Sequence, residues 1–288
     1  MCEFYIKRHC KFEKNGICGK YKSQDGLSLH CAGFWSKKKV EYFTYYAEMF
    51  STGMKKKWPI RYYVDLFSGP GKNIIREDME EIEGTCLKVI NLRDKFTKYF
   101  FVDKNLTCIN DLKKRIGKNL DVIFKNEDCN LAVNEIIKNI SQTSLSLAII
   151  DPDSLQFNFN NYAELSKRKI DLIVNYPIGP IGRAIASVCA RKLESETLEK
   201  FHPGWSNIMV KNTWGHSERE KIKNLINDYI EKIKKLGYFS SIHITPFKNK
   251  KNTTLYYLIA FSKSKKGIEF WEKVNQGLKK KERQPSLL

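Results

Sequence analysis

Arg61-Tyr62-Tyr63-Val64-Asp65-Leu66-Phe67-Ser68-Gly69-Pro70-Gly71-Lys72 is the stretch on which the reading of this chain turns. The residues up to Val64 favour a strand. After the acid comes Ser68-Gly69-Pro70-Gly71, where Pro70 fixes φ and the glycines accept angles that other residues resist. A strand ends there and a tight turn begins. In an open α/β sheet, ligands bind at the carboxyl ends of the strands, and a glycine turn at that edge lets a ligand approach the backbone closely. A nucleotide phosphate loop is excluded, because Asn73 follows Lys72 where Ser or Thr is required, and the three-glycine dinucleotide spacing is also missing. The isolated tetrad reads equally well as a structural turn, so the segments downstream decide.

Lys98-Tyr-Phe-Phe-Val-Asp103-Lys104-Asn105 reads as a second strand ending in an acid, followed by a helix from Leu106 to about residue 118. Val122 to Asp128 reads as a third strand, again ending in an acid, and Leu131 to Asn139 as a helix that Asp128 is placed to cap. Between the glycine turn and the second strand lie an acidic, irregular stretch over Arg76–Glu83 and a helix over Thr85–Lys95. A fourth strand, Ser144 to Ile150, is apolar throughout, as a central parallel strand should be, and ends on Asp151-Pro152-Asp153-Ser154. A fifth, Ile170 to Val174, ends on Asn175-Tyr176-Pro177, read as a pocket wall. Strand and helix alternate, so the sheet is parallel and its first three strands place carboxylates at one edge.

Asp65-x-Phe67-x-Gly69-x-Gly71 resembles the first motif of class I S-adenosylmethionine (SAM) methyltransferases. That resemblance implies that Asp65, Phe67 and the Ser68, Gly69, Pro70, Gly71 backbone cradle the methionine end of SAM. It puts Asp103 and Lys104 at the ribose, and Asp128 and Cys129 at the adenine. Methyltransferases acting on amino groups carry (Asn/Asp)-Pro-Pro-(Tyr/Phe) after the fourth strand, and Asp151-Pro152-Asp153 occupies that place as the catalytic element. Ser154 stands where the aromatic belongs, so Phe157 or Phe159 is expected to supply the ring; the bland alternative is that Asp151-Pro152 merely turns the chain.

From about residue 35 to 263 the chain also resembles the three-Cys-motif partner protein (TcmP) family. The contacts are the Trp35/Lys helix, Tyr62 to Gly71, Val102-Asp103, Ile150-Asp151-Pro152 and Asp171 to Asn175. The resemblance implies a Rossmann-like class I methyltransferase fold, a seven-stranded, mostly parallel sheet with an antiparallel last strand. It also implies a radical-SAM-like three-Cys-motif protein as a partner. The expected activity is SAM-dependent methyl transfer to nucleic acid, RNA before DNA, on a base amino group. The alternative is a non-catalytic nucleic-acid-binding protein that keeps the fold, and a third option is a metal-dependent nucleotide-processing enzyme using the carboxylate row.

Composition agrees with a polyanionic partner. The 288 residues carry 51 Lys+Arg against 32 Asp+Glu, a formal charge of +19 spread along the chain, although lysine-rich surfaces also arise from simple solvation. No apolar run approaches the roughly 20 residues of a membrane span. Met1-Cys2-Glu3 does not begin a signal peptide, so the expected location is the cytoplasm.

There, eight cysteines are not expected to form disulfides. Cys86, Cys108, Cys129 and Cys189 read as small buried hydrophobes. Cys2, Cys10, Cys18 and Cys31 cluster in residues 1–34, a segment with too little apolar material for its own core. A metal would supply the missing folding energy, zinc first, with His9 and His30 as further candidate ligands. The gaps of seven, seven and twelve residues lack the short zinc knuckle, and free thiols or an iron–sulfur cluster stay open.

The remaining elements complete a three-part organisation: residues 1–34, a methyltransferase-like domain over 35–263 with a lid insertion at 179–216, and a basic helix and tail over 264–288. Ser36 is placed to cap a helix ending near Phe50, whose first-turn Lys37, Lys38 and Lys39 are candidates to face a phosphate backbone. Trp205 and Trp214 are candidate base-stacking rings in the insertion. Ser217 opens a periodic helix stopped by Gly237, strands at Ser240–Pro246 and Thr254–Ser262 form a hairpin, and a helix from Gly267 to about residue 281 ends the chain.

Overall fold

In the amino-terminal segment, strand pairing replaces the core that the composition cannot provide. The structure, a computed structural model, describes residues 2–3, 5–6, 9–118, 120–189, 195–211, 218–241, 245–249 and 252–283. It resolves into two compact units: Met1–Ala132 with Thr143–Ile149 and Val274–Leu288, and Val133–Gln142 with Ile150–Lys273.

In the first unit, β1 (Tyr5–Ile6) and β2 (His9–Cys10) form an antiparallel pair. β3 (Glu13–Lys14) turns into β4 (Ile17–Lys22) through Asn15-Gly16, both at positive φ (50° and 79°), the two-residue hairpin loop that matches strand twist. β5 (Ser28–Ala32) follows, then α1 (Trp35–Met54), β6 (Arg61–Asp65), β7 (Lys72–Ile75) and β8 (Glu81–Glu83). β5 pairs in parallel with β7, giving a five-stranded sheet in the order β3-β4-β5-β7-β8. The Cys-rich segment is thereby built onto strands that follow the glycine turn.

That sheet corrects the reading of Arg76–Glu83 as irregular, since β7 and β8 form a hairpin there with Met79 at φ 62°. Its acids are matched by lysines. Lys72 pairs with Glu81 and Asp25, and Lys37 with Asp78 and Glu80. Lys37 is thus committed to carboxylates and not to a phosphate backbone. α1 begins at Trp35, with Ser36 buried inside it and no side-chain cap; its buried face is Val40, Phe43, Tyr46, Ala47 and Phe50. Packing of that face, and not the cap, fixes where it starts.

α2 (Thr85–Ile90) stops short of Lys95. β9 (Lys98–Asp103), α3 (Leu106–Ile116), β10 (Val122–Asn126), α4 (Cys129–Asn139) and β11 (Leu145–Ile150) come next. In the first unit the strands run β10-β9-β6-β11, all parallel. Numbered along the expected α/β domain this is 3-2-1-4, the order of a doubly wound sheet. Tyr63, Val64, Phe100, Phe101 and Leu147 are fully buried in it.

The second unit holds α5 (Asn161–Leu165), β12 (Ile170–Pro177), α6 (Ile178–Cys189), α7 (Ser195–Phe201), α8 (Trp205–Lys211) and α9 (Glu218–Lys234). β13 (Phe239–Ser240), β14 (Thr245–Lys248), β15 (Thr254–Ser262) and α10 (Lys265–Arg283) complete the chain. β15 runs antiparallel to β12, β13 and β14, which is the antiparallel strand expected near the end of the domain. The insertion is largely helical where described. Trp205 is a buried core ring, Cys189 is exposed and not a buried hydrophobe, and Trp214 and Ser217 lie outside the described residues. Gly237 at φ 84° closes the turn after α9 as expected. Among the described residues no helix is long and apolar enough to cross a membrane.

Asp171, near the start of β12, is buried, and burial raises its carboxyl to about 7 against hydrogen bonds from Ser262 and the Lys263 backbone. Between pH 4 and 7 the unfolded chain loses this proton while the folded chain keeps it, so stability falls as pH rises through that window. Asp171→Asn removes the effect. Chemical denaturation should find the variant gaining on the parent from pH 4 to pH 8 by up to about 4 kcal/mol; a pH-independent difference would contradict the assignment.

Candidate functional site: a carboxylate edge and its glycine turn

The parallel register brings three acids to one edge of the first unit. Asp65 pairs opposite Phe101 and Asp103 opposite Asn126, and Asp128 follows β10 by two residues. The strands run the same way, so all three leave at the carboxyl end, where ligands of such sheets bind.

Asp65 works from behind the turn. It is buried, its Oδ1 accepts the Phe67 N–H at 3.0 Å, and the Cys86 thiol donates to its Oδ2 at 3.3 Å. Burial first, then the Asp65 carboxylate, pushes the Cys86 thiol well above its ordinary value, so it remains a donor. Asp65 therefore shapes the loop and does not present a free carboxylate.

The turn is anchored on the neighbouring strand. Ser68 donates to the Val102 carbonyl from both its N–H (2.9 Å) and its hydroxyl (3.1 Å). Gly69 N–H donates to Asp103 Oδ2 at 2.9 Å, while Asn105 N–H donates to Oδ1 at 2.8 Å. Gly69 and Gly71 adopt φ of 60° and 95°. A Cβ on Gly71 would stand 2.9 Å from Leu112 Cδ1, inside the core, whereas one on Gly69 meets nothing within 4 Å. The Pro70 carbonyl accepts from Arg115, whose buried guanidinium also forks onto Asp25 at 2.9 Å and holds that carboxyl well below the usual range.

Asp128 is a cap and still a candidate ligand. Its Oδ1 accepts the Asn130 backbone N–H (2.9 Å) and side-chain amide (2.8 Å), leaving Oδ2 4.0 Å from the exposed Lys104 ammonium. Cys129 is buried beside it, and burial with the Asp128 charge pushes its thiol up to about 12. Phe67 is half-buried. Sequence reasoning missed Leu106 and Leu131, near the starts of α3 and α4, which are 57% and 63% exposed just past Asp103 and Asp128. Large apolar side chains exposed at a carboxylate edge suit a flat heterocycle, and their place at the helix starts was the available signal.

The acceptor candidates lie in the second unit. Asn175 Nδ2 donates to Asp151 Oδ1 at 2.9 Å and to the Pro152 carbonyl at 3.3 Å, so Asn175 is a tie on the Asp-Pro turn and not a pocket wall. Asp151 is half-buried, Pro152 buried and Asp153 exposed. Phe157 and Phe159 do not supply the missing ring: both pack edge-on against Tyr162, at 5.1 and 5.5 Å, and Phe159 also against Tyr229. A further polar chain was not foreseen. The Tyr176 hydroxyl meets His202 Nδ1 at 3.0 Å, His202 Nε2 meets Asp228 at 2.8 Å, and Asp228 also binds Lys232. Burial holds His202 below its ordinary value, with Asp228 opposing it.

Cys2, Cys10, Cys18 and Cys31 line one pocket in the first unit, together with Lys20 and Arg76. Among the described residues no group of three or more His, Cys, Asp or Glu side chains is arranged to hold a metal ion as it stands.

No protein-family model matches the chain, and no curated protein matches it. Solved structures do. A Legionella pneumophila protein of family DUF519 is 11% identical, with 82% of this chain and 91% of that one aligned at a TM-score of 0.47. The small RNA methyltransferase HEN1 is 11% identical over 86% of this chain and 27% of its own, at 0.43. The N-methyltransferase NodS from Bradyrhizobium japonicum, solved with S-adenosyl-L-homocysteine, is 9% identical over 80% and 88%, at 0.39. At these scores the strand order and the site geometry, and not the likenesses, carry the reading.

Gly71→Ala combines a strained φ with the Leu112 contact, whereas Gly69→Ala meets only the φ cost. Denaturation should rank Gly71→Ala below Gly69→Ala by about 1 kcal/mol or more, with Gly69→Ala itself costing about 1–2 kcal/mol. Equal costs would contradict the close packing of the turn.

Proposed function

We propose that this protein is a SAM-dependent methyltransferase acting on nucleic acid, RNA before DNA, on a base amino group. The observation that carries the reading is the Gly69–Asp103 hydrogen bond at the carboxyl edge of a 3-2-1-4 parallel sheet, with Asp128 just past the end of the next strand. In this reading the Ser68–Gly71 backbone faces the methionine end, the Asp103 carboxylate takes the ribose hydroxyls, and Asp128 Oδ2 takes the adenine amino group between Leu106 and Leu131. The Asp151 carboxylate and Pro152 carbonyl, held by Asn175, orient the acceptor amine. SAM, when bound, would supply the electrophilic methyl group, and the acceptor amine would release its extra proton to solvent. The charge of +19 suits a polyanionic substrate. The TcmP resemblance adds a radical-SAM-like partner protein to the proposal.

One observation favours a second reading. Asp153 is exposed and Ser154 stands where the ring belongs, with Phe157 buried and the half-buried Phe159 packed edge-on against Tyr162 and Tyr229. A nucleic-acid-binding protein that retains the fold without methyl transfer would look like this.

Calorimetric titration with SAM and S-adenosylhomocysteine, followed by incubation with labelled SAM and RNA or DNA, tests both. Binding with label transfer supports the enzyme; binding of nucleoside and RNA with no transfer favours the second reading; no nucleoside binding at millimolar ligand sinks the first. Asp103→Ala should weaken S-adenosylhomocysteine at least about tenfold, or ~1.4 kcal/mol, because it removes charge-assisted hydrogen bonds to the ribose. An unchanged affinity would remove Asp103 from the site.

A further inference from the structure

The four amino-terminal cysteines come from four places in the chain. Cys2 precedes β1, Cys10 lies in β2, Cys18 in β4 and Cys31 in β5, and all four line one pocket. No local knuckle gathers them. Strand pairing does, setting Cys18 opposite Glu13 and Cys31 opposite Ile74, while Cys2 N–H donates to the Arg76 carbonyl at 2.6 Å.

Two of the sulfurs already sit as acceptors. Tyr21 N–H donates to Cys18 Sγ at 3.4 Å from three residues on, and Arg76 Nη1 lies 3.9 Å from Cys31 Sγ. A neutral thiol accepts weakly, whereas N–H groups aimed at sulfur orient a metal-bound thiolate and spread its charge. One buried cluster of the sheet is Cys18, Leu29 and Ile74, with Tyr21, Cys31 and Met79 packed against it, so two of the four cysteines sit within its core. Small sheets of this kind are commonly stapled by a metal.

We propose that Cys2, Cys10, Cys18 and Cys31 bind one zinc ion as a structural tetrathiolate centre, whose dianionic charge is offset by Arg76 and Lys20. Soft sulfur ligands in a closed set of four suit zinc, and each thiol releases its proton to solvent as its sulfur–zinc bond forms. The side chains are not gathered for an ion as placed, and one χ1 step moves a cysteine sulfur by about 3 Å. The site is independent of the methyl-transfer reading.

Elemental analysis of the purified full-length protein should find about one zinc per chain, and zinc-edge absorption spectroscopy should find a sulfur-only shell at about 2.3 Å. Cys31→Ser should lower zinc content or affinity at least about tenfold. Cys189→Ser, an exposed thiol of the second unit, should retain zinc in full. Iron with acid-labile sulfide in place of zinc would overturn the assignment. So would metal-free protein with all eight thiols titratable, or a first shell containing nitrogen or oxygen. The spectroscopy needs no variant, so misfolding of Cys31→Ser would not rescue the proposal.

Discussion

The hydrogen bond from Gly69 N–H to Asp103 Oδ2, 2.9 Å long, is the contact through which the turn after β6 is held to the end of β9. It requires positive φ at Gly69, a conformation that costs a side-chain-bearing residue about 1–2 kcal/mol. It also requires parallel register between the two strands, since an antiparallel neighbour would carry its acid to the other edge. Ser68 binds the Val102 carbonyl on the same strand, so the loop is fastened at two successive residues. From behind, Arg115 holds the Pro70 carbonyl and Gly84 N–H holds the Gly71 carbonyl at 2.7 Å. A loop tied on both sides loses little entropy when a ligand settles on it.

The same edge shows a division of labour among its acids. Asp65 is turned inward and spent on the loop, with the Cys86 thiol at its back. Burial and Asp103 likewise push up the Cys108 thiol, and burial and Asp128 the Cys129 thiol. Weak, buried thiol donors thus stand near all three carboxylates, and at Asp128 the ammonium of the exposed Lys104 also lies 4.0 Å away. Stability in the second unit follows another logic, in which a His202–Asp228–Lys232 network is surrounded by the rings of Tyr176, Phe201 and Tyr229.

The strand ends were legible because an apolar run closing on an acid and a glycine turn leaves few alternatives. The order of the acids along the chain therefore translated directly into one edge. β7 and β8 were not legible: their acidic residues mimic a loop, and their partners, such as Lys37 for Asp78, lie dozens of residues away. The Asn15-Gly16 hairpin carried a plain turn signal that the cysteines around it obscured. Rings near Asp151 were counted as available from proximity in sequence, but whether Phe157 faces a site or the core depends on Tyr162, which only the folded chain brings to it. The capping role of Asp128 was foreseen, and it leaves the second oxygen for a ligand.

The most direct measurement is a crystal structure of the protein soaked with S-adenosylhomocysteine. The account predicts density over the Ser68–Gly71 backbone, ribose hydroxyls on the Asp103 carboxylate, and a purine lying between Leu106 and Leu131 beside Asp128. A nucleoside bound away from that edge, or a turn that remains bare at saturating ligand, would contradict it.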